Sequence, residues 1–326
     1  MTVRVPESFS QATTEREGAA GAEWLRDLPG IVEELLDMWQ CVLDGPVSHG
    51  WVGLIVPVLR ADGQPAVIKV SYRHEGNVHE PVALAAWRGN GAVRLYERAD
   101  HVYAMLLERV QPISLDADRD VDRVMGVAGE LNFRLAVPAP VEALPLQGRA
   151  ALWAQELSRD VREFRGSLDV SVTDMARETI RDLGEHQPAT LIHGDFHPGN
   201  ILRADREPWL AIDPKGFAGD PGYDAAVMVR WRAMALLEEG GRQTDQAHAA
   251  VMRALRVYSE AAQVDMDAAL RWSQLLLVQA SFWGRRHGFE TARGGTRLAQ
   301  AIELADELAH TLRFPQVRTK PTPVHG

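Results

Sequence analysis

The spacing of apolar residues changes character once along this chain, near residue 110, and that change limits the fold more than any other feature. Before it come short β-rich runs bounded by turn residues: Trp51 to Leu59, the turn Ala61-Asp62-Gly63, Pro65 to Val70 (PAVIKV), Val93 to Glu97, and Tyr103 to Leu107. A helix is expected ahead of them from Trp24 to Leu43, where Leu28, Ile31, Leu35, Met38 and Val42 recur at helical spacing until Gly45-Pro46 stops the pattern. A second is expected at about Val78 to Trp87. After Pro112 the period is almost wholly helical. Val121, Val124, Met125, Ala128, Leu131 and Leu135 make one stripe, and Leu152, Trp153, Leu157, Val161 and Phe164 make another. Further helices are expected at about 172–184, 223–239, 245–262, 266–286 and 296–312. The single interruption, Ala189 to Pro221, alternates short β-type runs (Ala189–Ile192, Asn200–Arg203, Trp209–Ile212) with Gly, Pro and Asp.

This pattern predicts an α+β chain of two lobes, a small β-rich one over residues 1–110 and a larger, mostly helical one over 111–326. Residues 1–23 are polar and expected to be loosely ordered, as is the proline-rich tail from Pro315. With 35 Lys and Arg against 45 Asp and Glu the net charge is −10, which disfavours a nucleic-acid partner and suits a cationic small substrate. A single cysteine, Cys41, excludes an internal disulfide and a cysteine-based zinc site. Met1 to Gly21 has no apolar signal core. The longest apolar run, Gly53 to Leu59, contains Pro57 and is too short to span a membrane. A cytoplasmic protein without a membrane partner is expected, with a monomer as the favoured state.

The chemistry-bearing residues gather in the interruption. LIHGDFHPGN, Leu191 to Asn200, sets Asp195 and Asn200 five residues apart on a loop that Gly194, Pro198 and Gly199 allow to turn tightly. There an aspartate can accept a hydroxyl proton, and an asparagine oxygen is a hard ligand suited to Mg²⁺. A short hairpin then returns the chain to Asp213 in WLAIDPKG, a second and charged metal ligand. Upstream, Lys69 stands alone inside an apolar strand, where its charge needs a partner; Glu80 at the start of a helix is the favoured one, and Glu75 in the connecting loop the lesser. A base, two metal ligands and a cation for the phosphates are what phosphoryl transfer requires. The hairpin turn Ser48-His49-Gly50-Trp51-Val52-Gly53 lies where a loop would cover the nucleotide, with Ser48 and the glycines offering N–H groups, although neither G-x-x-x-x-G-K-[ST] nor G-x-G-x-x-G is present. Read singly, Lys69 could snorkel from an edge strand, Asp195 and Asn200 could form an Asx turn, and Asp213 could cap a strand. Two rivals stand beside phosphoryl transfer. His193, Asp195 and His197 alternate as H-x-D-x-H and could serve a metal-dependent hydrolase, though no further cluster supplies the remaining ligands. A nucleotide-binding protein without transfer is the other, and no catalytic position is degraded as that would require.

These residues resemble the aminoglycoside phosphotransferase superfamily, which writes H-G-D-x-x-x-x-N in its catalytic loop. The stretch AIDPKGFAGDPGYD, Ala211 to Asp224, is similar to the streptomycin 6-phosphotransferase and hydroxyurea phosphotransferase group, whose metal-binding aspartate stands in I-D-P-K-G rather than D-F-G. VPVLRADGQPAVIKV (Val56 to Val70), GNGAVRLYE (Gly89 to Glu97) and MLLERV (Met105 to Val110) support it. The resemblance implies a two-lobed protein-kinase-like fold using ATP and Mg²⁺ to phosphorylate a hydroxyl of a small molecule. The acceptor order it suggests is a streptomycin-type antibiotic, then hydroxyurea, then another sugar or amine-bearing metabolite. It makes Asp195 the base, Asn200 and Asp213 the Mg²⁺ ligands, and Lys69 the contact to the α- and β-phosphates paired with Glu80. The backbone of Glu108, Arg109 and Val110 becomes the adenine hinge, although VQPISL departs from the proline-glycine step usual after it. Lys215 belongs to the signature and is expected near the phosphates or as a plain loop lysine. Asp220 and Asp224, with Glu238 and Glu239, are candidates to face a cationic acceptor, Asp224 foremost.

Overall fold

The structure is a computed structural model, and it describes residues 3–238, 244–287 and 296–313. It opens on a helix, α1, Glu7–Met38. Strands β1 (Val42–Leu43), β2 (Ser48–His49), β3 (Gly53–Leu59) and β4 (Pro65–Ser71) follow, then helix α2 (Glu80–Trp87) and strands β5 (Leu95–Ala99) and β6 (Ala104–Glu108). The strands form one antiparallel six-stranded sheet, ordered β1-β3-β4-β6-β5 with β2 beside β3.

Alternation along the central strands sorts their side chains onto two faces. Leu54, Val56 and Val58 of β3, Ala66, Ile68 and Val70 of β4, and Ala104 and Leu106 of β6 are buried on one face, where Phe9, Leu28, Val32 and Leu35 of α1 cover them. Lys69, Met105 and Leu107 take the opposite face. There Met105 and Leu107 join Ala83, Leu84 and Trp87 of α2 in the core that continues into the helical lobe. A polar residue in an apolar strand is thereby delivered to the cleft side of the sheet.

Two expectations about the amino-terminal region are corrected. Residues 7–23 are not loose but belong to α1, which carries a break at Gly18 (φ 63°, ψ −139°). Ahead of the break Phe9 and Thr13 are buried, and beyond it Gly21, Leu28, Val32 and Leu35 are. At its other end α1 stops at Met38, and Val42 with Leu43 pairs with β3 as a strand rather than extending the helix.

The second lobe contains α3 (Val121–Leu135), strand β7 (Leu144–Pro145), α4 (Ala150–Glu163) and α5 (Val170–Thr179). The β-interruption follows as β8 (Leu191–Ile192), β9 (Ile201–Arg203), β10 (Trp209–Ala211) and β11 (Phe217–Ala218). Helices α6 (Gly222–Glu238), α7 (Thr244–Ala262), α8 (Met266–His287) and α9 (Thr296–Thr311) complete it. Helix α6 packs on α8, α8 on α9, and α3 on α7. β9 and β10 make a hairpin, while β11 lies between β7 and β8. The chain has the two-lobed α+β architecture of protein-kinase-like enzymes. No helix among the described residues is long and apolar enough to cross a membrane. The tail from Pro315 lies outside the described residues.

Candidate active site

Lys69 pairs in register with Ile55 on one side and Met105 on the other, so its backbone is fixed by both neighbouring strands. Its ammonium donates to Glu80 Oε1 at 2.7 Å and Oε2 at 2.8 Å, and to Asp213 Oδ1 at 2.6 Å. Burial alone would lower the lysine pKa, but the carboxylates of Asp213 and Glu80 hold it above the ordinary lysine range. Burial also pushes the Glu80 carboxyl up, against the pull of Lys69, and both Glu80 oxygens accept from the ammonium as an ionised pair does. Glu75 is exposed and lies 3.8 Å from Arg149, so it is not the partner of Lys69.

The catalytic-loop half is fastened by buried polar contacts. His193 is fully buried, stacked on the Trp87 ring and meeting the Phe196 ring at a tilt. Its Nε2 lies 2.8 Å from the Ile212 carbonyl, and its Nδ1 accepts from the Asp195 N–H at 3.2 Å, which fixes the neutral Nε2–H tautomer. Burial lowers the His193 pKa to about 4, in keeping with that role. Two backbone bonds tie the metal loop to the same segment: Ile212 N–H to Asn200 C=O at 2.9 Å and Lys215 N–H to His193 C=O at 2.7 Å. Asn200 donates its side-chain N–H to the Asp195 carbonyl at 3.0 Å, which leaves Oδ1 as the free end of its amide.

Two glycines are demanded by close approach. Gly194 has φ 81° and a Cβ there would collide with the Phe217 ring; Gly216 has φ 66° and its Cβ would meet the His79 carbonyl at 2.6 Å. Gly216 is the glycine of I-D-P-K-G, so that motif is partly a statement about how near the metal loop runs to the start of α2. Asp213 itself sits at φ 57°, an uncommon conformation for a residue with a side chain. Its carboxyl is held below the ordinary aspartate range because Lys69 outweighs the effect of burial.

Lys69, Glu80, Asp213, Asn200 and Asp195 are thus joined in one crevice. The trio of one ammonium and two carboxylates, with Lys69 and Glu80 buried and Asp213 half-exposed, carries an excess negative charge, and the Asp213 carboxylate with the Asn200 amide oxygen is a hard, all-oxygen donor set, so the residues fit Mg²⁺. Lys215 extends its ammonium to 3.6 Å from Asp195 Oδ2, with both side chains about one-third exposed.

Several expectations are corrected. Asp224 faces no acceptor: it is fully buried, its Oδ1 accepts from the Gly194 N–H at 2.8 Å, and its Oδ2 accepts from the His193 N–H at 2.9 Å and from Asn132 Nδ2 at 3.2 Å. Burial pushes its carboxyl up to about 7 although the N–H donors of Gly194 and His193 pull the other way. It is a clasp on the catalytic loop. Asp220 likewise turns inward, accepting from the Gly222 N–H at 2.8 Å and from Trp272 Nε1 at 2.9 Å. The Glu238 side chain and Glu239 lie outside the described residues. The H-x-D-x-H hydrolase reading fails because His193 has both ring nitrogens engaged by backbone, while His197 Nδ1 accepts from the Gly199 N–H; among the described residues no three metal-ligating side chains cluster.

At the inter-lobe strand, Glu108 ends β6 and its carboxylate takes two bonds from Arg206, at 3.0 and 2.9 Å. Arg109 reaches Asp44 at 2.7 Å, and among the described residues no backbone hydrogen bond engages Val110. Ser48 is exposed on the edge strand β2, and Gly53 at the far end of that turn lies so near Lys69 that a Cβ would touch its Cε at 3.4 Å. The sequence reading missed Asn132 and Arg206, which act through contacts to distant residues and carry no local signature.

Comparison with known proteins agrees with this geometry. Residues 38–288 match the family model described as aminoglycoside/hydroxyurea antibiotic resistance kinase. The chain is 33% identical over 305 residues to streptomycin 6-kinase of Streptomyces griseus, covering 93% of this chain and 97% of that one. It is 38% identical over 229 residues to hydroxyurea phosphotransferase of Kitasatospora aureofaciens, covering 68% and 66%. A choline/ethanolamine kinase family protein from Mesorhizobium loti has the same fold at TM-score 0.53 and 14% identity, over 86% of this chain and 94% of that one. The fold and the crevice define a protein-kinase-like small-molecule kinase that phosphorylates a hydroxyl group. The chain belongs to the aminoglycoside/hydroxyurea antibiotic resistance kinase family, and that membership implies ATP as the phosphate donor.

Proposed function

We propose that this enzyme transfers the γ-phosphate of ATP to a hydroxyl of a streptomycin-type aminocyclitol antibiotic and so inactivates it. The observation that carries the reading is the convergence of the Glu80 and Asp213 carboxylates within 2.8 Å of the Lys69 ammonium, with the Asp213 segment bonded to that of Asp195 and Asn200. Residues 1–110 hold the nucleotide, with the backbone of Glu108, Arg109 and Val110 against adenine, the Ser48–Gly53 turn over the phosphates and Lys69 on the α- and β-phosphates. The remainder carries the base and the acceptor site. Asp195 takes the proton of the attacking hydroxyl as the new P–O bond forms and ADP departs. Asn200 Oδ1 and the Asp213 carboxylate would hold Mg²⁺, which when bound neutralises charge on the phosphate oxygens.

The choice of a streptomycin-type acceptor rests on the relative aligned over nearly its whole length. Hydroxyurea is the second reading, favoured by one observation: Asp220 and Asp224, the carboxylates a cationic acceptor would have met, both face inward. Incubation with γ-labelled ATP and either streptomycin or hydroxyurea, followed by identification of the phosphorylated product, separates the two. Labelled product from streptomycin alone is the expected result. Labelled hydroxyurea alone would replace the first acceptor with the second, and ATP binding without product from either would remove both and leave a kinase for another sugar or amine-bearing metabolite.

A further inference from the structure

The amino-terminal part of α1 reaches the turn between β2 and β3 and holds it at four points. Ser8 Oγ lies 3.0 Å from His49 Nε2, and the Phe9 ring packs 5.2 Å from the His49 ring. Arg16 donates from Nη1 to the Trp51 carbonyl at 3.0 Å and places its guanidinium 5.4 Å from the centre of the Trp51 ring. The contacts are anchored. Phe9 is buried in the sheet-side core and meets the edge of Trp24, which in turn meets the edge of Tyr72, whose N–H donates to the Val52 carbonyl within the same turn. Apart from this, the turn has little to hold it. Ser48, His49, Gly50 and Trp51 are exposed, and one backbone bond, Gly50 N–H to Gly53 C=O at 2.9 Å, closes it. The contacting residues Ser8, Phe9 and Arg16 all precede the break at Gly18.

We infer that Arg16 and Ser8 are positioning residues for nucleotide binding: they clamp the Ser48–Gly53 turn in the place from which its N–H groups meet phosphate. The inference rests on the proposed nucleotide role of that turn. A free glycine-containing turn loses conformational entropy each time it closes on a ligand, and a turn already tethered loses less, so the clamp acts on ATP affinity and not on the transfer step.

The test is the full chain carrying Ser8→Ala and Arg16→Ala together, compared with wild type and with Arg16→Lys, which retains a cationic donor. Amide hydrogen exchange at residues 48–53 without nucleotide is expected to accelerate in the double variant and to return toward wild type in Arg16→Lys. The KM for ATP is expected to rise about tenfold, the order of one hydrogen bond and one cation–π contact together, with kcat and the acceptor KM unchanged. Unchanged exchange at 48–53 overturns the clamp. Faster exchange with an unchanged KM for ATP overturns its role in nucleotide binding while leaving the nucleotide site intact. Wild-type amides at 48–53 that gain no protection from ATP overturn the phosphate-covering reading of the turn, and the inference with it.

Discussion

Lys69 lies on a seven-residue strand with antiparallel neighbours on both sides, whereas Asp195, Asn200 and Asp213 lie on loops joined to strands of two or three residues. The first half of the site is placed by regular secondary structure and needs one salt bridge, to Glu80 on α2, to complete it. The second is placed by side chains that hydrogen-bond to backbone: His193 to Ile212 and Asp195, Asp224 to His193 and Gly194, Asn200 to Asp195. A ladder resists displacement along its whole length, while a loop stays only where individual contacts hold it. The same buried charge therefore has different consequences in the two halves. In the sheet it neutralises; in the loop it sets position.

The largest effect is expected at Asp195, the residue proposed to take the proton of the hydroxyl. Asp195→Ala is expected to lower kcat by about 10³-fold, within the range for loss of a general base, while ATP affinity changes by less than about twofold. Equal loss of both, by rate assay and calorimetric titration, would make Asp195 a structural residue and erase the division between the halves. On the sheet side, Lys69→Met leaves Glu80 buried without its cation, so unfolding stability is expected to drop by about 3–5 kcal/mol, read by urea titration, with a large rise in the KM for ATP. On the loop side, Asp224→Asn sets an amide N–H₂ against a ring of N–H donors. It is expected to cost about 1–3 kcal/mol and to reduce kcat while sparing ATP affinity. A Lys69→Met that changes only kcat, or an Asp224→Asn that changes only ATP affinity, would reverse the assignment of the halves.

How far the sequence reveals each half follows from the same contrast. Lys69 and Glu80 are legible because a period-2 apolar strand makes a lysine conspicuous and the next helix begins with an acid. Asp195, Asn200 and Asp213 are legible because their loop is dense in Gly, Pro and His and returns through a short hairpin. Asp224 is misread as facing the acceptor because it closes the loop that begins at Asp213, while its partners Gly194, His193 and Asn132 lie 30, 31 and 92 residues back in the chain. Arg206 is silent for a like reason: its bond to Glu108 spans 98 residues and joins the β9–β10 turn to the end of β6. The helix over residues 7–17 is hidden by its polar surface and by Gly18, since its burial depends on the few residues that reach the sheet.

The tautomer of His193 offers a pH test confined to the loop half. Its pKa is near 4 in the folded protein and 6.5 in an unfolded chain, so between these values the unfolded state binds one more proton. The stability His193 contributes is complete above pH 6.5 and is lost as the pH falls toward 4. In His193→Gln, whose side-chain N–H₂ can still donate to the Ile212 carbonyl, this dependence is absent. The stability advantage of wild type over His193→Gln should therefore shrink by about 2 kcal/mol between pH 7 and pH 5, measured by urea unfolding at both. A difference that stays constant with pH would mean that the imidazole can take up a proton in place, and that the loop is less tightly enclosed than its burial implies.

The smallest expected effect gives the sharpest contrast, because it involves a second lysine in the same crevice. Lys215 lies 3.6 Å from Asp195, but both side chains are about one-third exposed, at 33% and 30%, against 7% for the Lys69 side chain and 2% for that of Glu80. A pair so open to water contributes little to folding, on the order of 0–1 kcal/mol. Lys215→Ala should leave urea and thermal unfolding unchanged, where Lys69→Met does not. Its cost should appear in turnover, because an ammonium beside the base stands where negative charge gathers as the hydroxyl attacks. A fall in kcat of about tenfold is expected, with ATP affinity retained and Lys215→Arg recovering most of the rate. Loss of stability on the scale of Lys69→Met would place Lys215 among the groups that hold the loop together. Unchanged kcat would make it a loop lysine whose contact with Asp195 has no part in transfer, and the lysine of I-D-P-K-G would then matter less than the glycine beside it.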